Sequence, residues 1–243
     1  MRYLITVSYD GSNYYGFEVQ PDKMTIQGCL ESALKVINKK HVTIKGAGRT
    51  DRGVHAYGQV FHVDLDVNVP ENGLMSAMNS LLPNDIHITN VKKVSKDIHA
   101  RFSAKKKTYI YKINIGEYDA INNSHIYNYN KNLDINLMKE ASKYLIGMHD
   151  YEAYVTGKRD NYNSIIYDID IYKENSIIYF KFIGKSFYTY MVRNMMGALV
   201  LVGAKKIEPI CIKEMLDNKE NIYHYVALPS NGLYLMKIEY DNI

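Results

Sequence analysis

Arg2 to Tyr9 alternates Tyr3, Ile5 and Val7 with Leu4, Thr6 and Ser8, a period of two that predicts a β-strand, and Asp10-Gly11-Ser12 ends it with turn chemistry. The period then lengthens. Ile26, Leu30, Ala33, Leu34 and Ile37 recur at helical spacing behind Thr25, a residue suited to cap a first turn, and Lys39-Lys40 places favourable charge at the far end. Val42 to Ile44 reads as a second strand. Gln59 to Leu65 reads as a third, with Phe61, Val63 and Leu65 on one face and Val60, His62 and Asp64 on the other. Pro70 starts a second helix that turns Leu74, Ala77, Met78 and Leu81 inward until Pro83 stops it, and Ile86 to Val94 completes this half as a fourth strand.

Beyond His99 to Ala104 the pattern resumes with a strand over Thr108 to Ile115. Asp134 is placed to cap a helix through Leu137, Met138, Ala141 and Leu145 that stops at Gly147. Ile165 to Tyr172 and Ile177 to Phe182 form a hairpin turning at Glu174-Asn175. A helix from about Tyr188 to Val202 lines up Met191, Met195, Leu199 and Val202, with Arg193 off that stripe; a short helix near Ile212 to Leu216 and a strand at Leu233 to Tyr240 follow. Asn122 to Asn132, with five asparagines, is the expected mobile loop. Similar elements recur in similar order. The predicted fold is therefore α/β (α+β): two pseudo-duplicated halves, residues 1–103 and 104–243, each a mostly antiparallel sheet with helices on one face, and a cleft between them.

Composition narrows the function classes. No stretch of eighteen apolar residues occurs, and the N-terminus enters strand-like sequence without a long apolar run, so neither a membrane span nor a signal peptide is expected. Cys29 and Cys211 are isolated thiols without metal or disulfide-framework spacing, which predicts a reducing cytoplasm and no structural metal. A net charge of +4 permits a polyanionic partner without demanding one. The densest basic cluster is Lys105-Lys106-Lys107 beside Arg101; taken alone, such a run is a solvated face. Gly184-Lys185-Ser186 ends like a phosphate-binding loop, but Tyr179 stands where its first glycine is required.

The stretch with the most chemistry is Gly46 to Val60. Its glycines, Gly46, Gly48, Gly53 and Gly58, suit a sharply bending backbone that another molecule approaches closely, and at its centre Asp51 lies between Arg49 and Arg52. It is not a dinucleotide fingerprint, because Asp51 occupies the third glycine's place and a carboxylate repels pyrophosphate. Nearby positive charge should keep Asp51 ionised. His55 and His62 read as structural hydrogen-bonding groups rather than ligands.

The segment Gly48-Arg49-Thr50-Asp51-x-Gly53-Val54-His55-Ala56-x-Gly58-Gln59-Val60 resembles the active-site motif of the TruA family of tRNA pseudouridine synthases. Further matches follow in the family's order: Tyr9-Asp10-Gly11-Ser12, Ala77-Met78-Asn79, His99-Ala100-Arg101-Phe102-Ser103-Ala104, Tyr109-x-Tyr111, Met191-Val192-Arg193-Asn194 and Gly232-Leu233-Tyr234-Leu235. They span nearly the whole chain. The resemblance implies a cofactor-independent, cytoplasmic homodimer that isomerises uridine to pseudouridine at positions 38, 39 and 40 of the tRNA anticodon stem-loop, in a basic cleft with the aspartate at its floor.

By the same resemblance Asp51 is the catalytic nucleophile, Tyr109 stacks on the target uracil, and Arg193 pairs with the aspartate. Arg49 takes the extruded base's place in the stack, Leu233 and Leu235 line the uracil pocket, and Arg101, Lys105 and Lys107 hold phosphates. Three departures stand out. Phe17-Glu18 replaces the usual Trp-Gln, Arg52 replaces a common alanine, and Asn163-Ser164-Ile165 stands where many members have an Arg-Thr pair. Glu18 and Arg52 change the charge where RNA would lie, so a diverged paralogue or a non-catalytic RNA-binding module with a shifted target is the alternative.

Overall fold

The computed structural model describes residues 1–241 and divides into two compact units, Met1–Lys105 together with the chain from Tyr234 on, and Lys106–Leu233. The chain order is β1 (Arg2–Tyr9), α1 (Ile26–Asn38), β2 (Lys45–Gly46), β3 (His55–Asp64), α2 (Glu71–Leu81), β4 (Ile86–Val94), β5 (Ala104–Asn114) and β6 (Tyr127–Asn128). There follow α3 (Ile135–Ser142), β7 (Gly147–Asp150), β8 (Asn163–Glu174), β9 (Ile177–Gly184), α4 (Met191–Gly203), α5 (Cys211–Asn218) and β10 (Leu233–Tyr240).

In the first unit the strands run β4-β1-β3-β10, with β2 also on β3. β1 is antiparallel to β3 and to β4, and β2 is antiparallel to β3; only β10 is parallel, pairing Tyr234 with His55 and Leu235 with Ala56. The period of two in β1 does what it predicts, since Tyr3, Ile5 and Val7 have no exposed surface. They belong to the core that also holds Leu30 and Leu34 of α1 and Leu74 and Met78 of α2. Each such side chain, fully withdrawn from water, contributes on the order of 1.5–3 kcal/mol. Thr25 caps α1 by accepting from the Gly28 amide.

In the second unit the order is β5-β9-β8-β7, antiparallel throughout, with β6 parallel to β5. Tyr111, Phe180, Phe182, Met138, Met195 and Leu199 are fully buried. Asp134 caps α3 through the Leu137 amide, and the β8–β9 hairpin turns with Asn175 in the left-handed region at φ 54°. In each unit the first strand pairs antiparallel with a later strand that runs directly into a helix, β1 with β3 before α2 and β5 with β9 before α4, while the second unit adds β6 ahead of α3 and sets three strands rather than two between its helices.

Several expectations change. Val42 and Ile44 are buried but form no strand, because the Ile44 amide is taken by the Glu31 carboxylate at 3.0 Å rather than by a neighbouring backbone. β3 starts at His55, four residues early, where β10 gives it a partner. Leu81 is 45% exposed rather than inward. The helix expected from about Tyr188 begins at Met191, since Tyr190 is left-handed at φ 62°. The segment Asn122 to Asn132, expected to be mobile, is tied down by its own amides. Asn128 accepts from Asn114 at 2.8 Å and from the Asp119 amide, β6 pairs with β5, and Asn231 donates to the carbonyls of Asn123 and Ile126.

Candidate active site

In the first unit, Asp51 stands at the first position of a tight turn whose fourth amide, Val54, donates to the Asp51 carbonyl at 3.1 Å. The third position of such a turn needs positive φ, and Gly53 supplies it at 78°. The preceding residues are stapled from both sides. Ala47 donates to the Val60 carbonyl at 2.7 Å, the buried Gln59 amide donates to Gly48 at 2.9 Å, and Phe17 donates to Thr50 at 3.0 Å. The Thr50 hydroxyl meets the Tyr9 hydroxyl at 2.8 Å in a buried contact, and burial raises the Tyr9 phenol so that it stays protonated. The Asp51 backbone is thus immobilised while its residue stays partly open to solvent.

Each flanking cation also has a contact of its own. Arg49 pairs with Glu18 at 2.8 Å, and the Arg52 guanidinium lies 4.4 Å above the Tyr15 ring. The His55 Nδ1 accepts from the Gly11 amide at 3.2 Å and lies 3.0 Å from the Asp10 carboxylate, and its ring stacks on Tyr234 at 4.7 Å. His62 is held by the chain in the same way. Its Nδ1 accepts from Ala100 at 3.1 Å, and burial, reinforced by Arg2 and His99, pushes its pKa down to about 4. A neutral His62 therefore anchors the bend that carries Arg101.

In the second unit, Tyr109 on β5 is buried, its backbone paired with Phe182 and its ring edge-on to Phe187 at 5.1 Å. Tyr111, two residues on, donates to the Pro229 carbonyl at 2.5 Å, and burial raises its phenol. Arg193, on the first turn of α4, is clamped against the segment after α5. Its Nε donates to the Leu228 carbonyl at 2.7 Å, the Leu228 amide donates back to the Arg193 carbonyl at 3.1 Å, and the guanidinium lies 4.2 Å from the Tyr190 ring centre. The first unit thus offers an ionisable oxygen on a rigid turn, and the second unit an aromatic face and a clamped cation.

A family model described as tRNA pseudouridine synthase matches residues 5–103 and 141–241. The chain belongs to the tRNA pseudouridine synthase family. A protein named tRNA pseudouridine synthase A from Anoxybacillus flavithermus is 36% identical over 244 residues, which is 99% of either chain. One of the same name from Oceanobacillus iheyensis is 38% identical over 245 residues, 99% of this chain and 97% of that one. A third, from Bacillus licheniformis, is 36% identical over the full length of both. A solved Cbf5-Nop10-Gar1 complex covers 81% of this chain and 54% of that chain at 13% identity and a TM-score of 0.34, too distant to add to the assignment.

The remaining site candidates of this tRNA pseudouridine synthase family member occupy different settings. Leu233 and Leu235 stand two apart on β10 and are both buried. Arg101 is exposed beside Phe102, whose ring is 78% exposed and rests on His99 at 4.3 Å. The lysine run divides: Lys105 is exposed and pairs with Asp241 at 3.0 Å, Lys106 lies 5.5 Å from the Tyr167 ring, and Lys107 is only 8% exposed. Phe187 and Tyr190, which support Tyr109 and Arg193, were not legible as site residues, because nothing local in Ser186 to Tyr190 marks which ring packs on which partner. No helix among the described residues is long and apolar enough to cross a membrane.

Proposed function

We propose that this chain isomerises uridine to pseudouridine in tRNA, at positions 38, 39 and 40 of the anticodon stem-loop, with Asp51 as the nucleophile. The observation that carries the reading is end-to-end identity of 36–38% with proteins named tRNA pseudouridine synthase A, over a chain that keeps the aspartate, the tyrosine and the arginine of the family's motifs.

The reaction breaks the bond from N1 to C1′, turns the uracil and joins C5 to C1′, leaving the redox state unchanged. A carboxylate suffices as the covalent or electrostatic partner of the departing base. In this reading the rigid turn presents the Asp51 oxygen to a nucleotide drawn out of the helix, Arg49 fills the gap left in the stack, and Tyr109 offers its face to the uracil. Arg193 keeps the aspartate ionised, and Leu233 and Leu235 exclude water from the base. Arg101 and Lys105 take phosphates, which fixes register without reading sequence, whereas Lys107, expected to join them, is withdrawn from solvent. The working form is a cytoplasmic homodimer with one tRNA touching both subunits.

The test is conversion of unmodified tRNA transcripts by the purified chain, with pseudouridine mapped by carbodiimide primer extension. Stops at positions 38 to 40 are expected. Modification confined to another loop would redirect the target assignment, and tRNA binding without any modification would favour an RNA-binding module.

A further inference from the structure

The six residues between β9 and α4, Lys185 to Tyr190, do more than join two elements. Phe187 packs on Tyr109 and Tyr190 lies beneath Arg193, so one connection supports both candidate groups of the second unit. The two residues between them, Tyr188 and Thr189, hold a third side chain. The Arg159 guanidinium lies 4.8 Å from the Tyr188 ring centre, and its Nη2 donates to the Thr189 hydroxyl at 3.2 Å. The platform is itself fixed: Tyr188 donates to the Asn163 carbonyl at 2.6 Å, Thr189 accepts from the Thr156 amide at 3.1 Å, and the Arg159 amide donates to the Tyr162 hydroxyl at 2.9 Å.

Arg159 has no carboxylate partner among the described residues, although most of the fork's donors are still unused after the bond to Thr189. The ring and the hydroxyl fix the plane of the guanidinium without neutralising its charge. A guanidinium held flat and pre-oriented is suited to a phosphate, which it engages through two parallel bonds. Lys158 and Lys185, both exposed, lie next to it and next to the platform along the chain, adding to the positive potential. Phe187 and Tyr188 are consecutive, so Tyr109 and Arg159 are braced by the same short connection, and a phosphate on Arg159 belongs to the stretch of backbone within a few nucleotides of one resting on Tyr109.

We infer that Arg159, seated on Tyr188 and Thr189, is an RNA-binding residue that grips a backbone phosphate close to the target uridine. This rests on the proposed activity only for the identity of the RNA. The experiment compares wild type with Arg159→Gln and Arg159→Lys for binding to unmodified tRNA transcript across a salt series, alongside KM, kcat and the thermal midpoint. Arg159→Gln should weaken binding about five- to tenfold and reduce the slope of log affinity against log salt by about one, with kcat at saturating tRNA within about twofold. Arg159→Lys should recover the slope. Wild-type affinity and slope in Arg159→Gln would overturn the inference, as would a lowered thermal midpoint with an unchanged slope, which marks a packing residue. If wild type binds tRNA without modifying it, the catalytic reading fails while this one stands or falls on the salt slope.

Discussion

Arg49 and Glu18 meet at 2.8 Å with both side chains more than half exposed, a setting in which an ion pair contributes about 0–1 kcal/mol to stability. Its larger consequence is for binding. In the proposed reading the Arg49 guanidinium enters the base stack and first has to leave Glu18, and the carboxylate left behind faces an incoming polyanion. Glu18→Gln should therefore leave the unfolding midpoint nearly unchanged and tighten tRNA binding about two- to fivefold at low salt, measured by filter binding; unchanged or weaker affinity would contradict this. Asp51 was legible because its turn is written locally, with Gly53 two residues on. The partners of Arg49 and Arg52 were not, because Glu18 and Tyr15 lie more than thirty residues back and reach the loop only through the fold. Arg159 was hidden for the same reason, since Tyr188 and Thr189 follow it at a distance of some thirty residues with no periodic signal linking them.

Elements whose pattern and boundary chemistry agree fold as the sequence implies. β4 and β10 have the expected limits, and α1 and α3 begin at the side chains predicted to cap them. Misreadings occur where a distant group takes over a backbone amide, as Glu31 does at Ile44, or where one residue adopts an unusual conformation, as Tyr190 does before α4. α4 also shows what an element-level contact controls. A methyl group on Gly197 would stand 2.1 Å from the Val226 carbonyl, so the helix approaches the 225–228 segment as closely as glycine allows. That segment carries Leu228, the partner of Arg193. Gly197→Ala should cost about 1–3 kcal/mol in urea denaturation and lower turnover by displacing Arg193. Wild-type stability with wild-type turnover would show that the close approach is dispensable.

At the scale of the molecule, each unit pairs its first strand with a later one that leads into a helix, and a recurrence of strands and helices in similar order was visible in the hydrophobic pattern. The allegiance of β10 was not, because a parallel pairing of Tyr234 and Leu235 with His55 and Ala56 joins residues far apart in sequence, and nothing in Leu233 to Tyr240 names the partner strand. The proposed activity centres on one chemical group, an aspartate on a rigid, glycine-completed turn in a chain of the tRNA pseudouridine synthase family. The most direct measurement is single-turnover formation of pseudouridine in unmodified tRNA transcript by wild type, Asp51→Asn and Asp51→Ala, with tRNA affinity measured on the same preparations. Wild type should convert the transcript and neither variant should, with the three affinities within about threefold of one another. Pseudouridine formed by Asp51→Ala at a rate comparable to wild type would contradict a catalytic role for this aspartate.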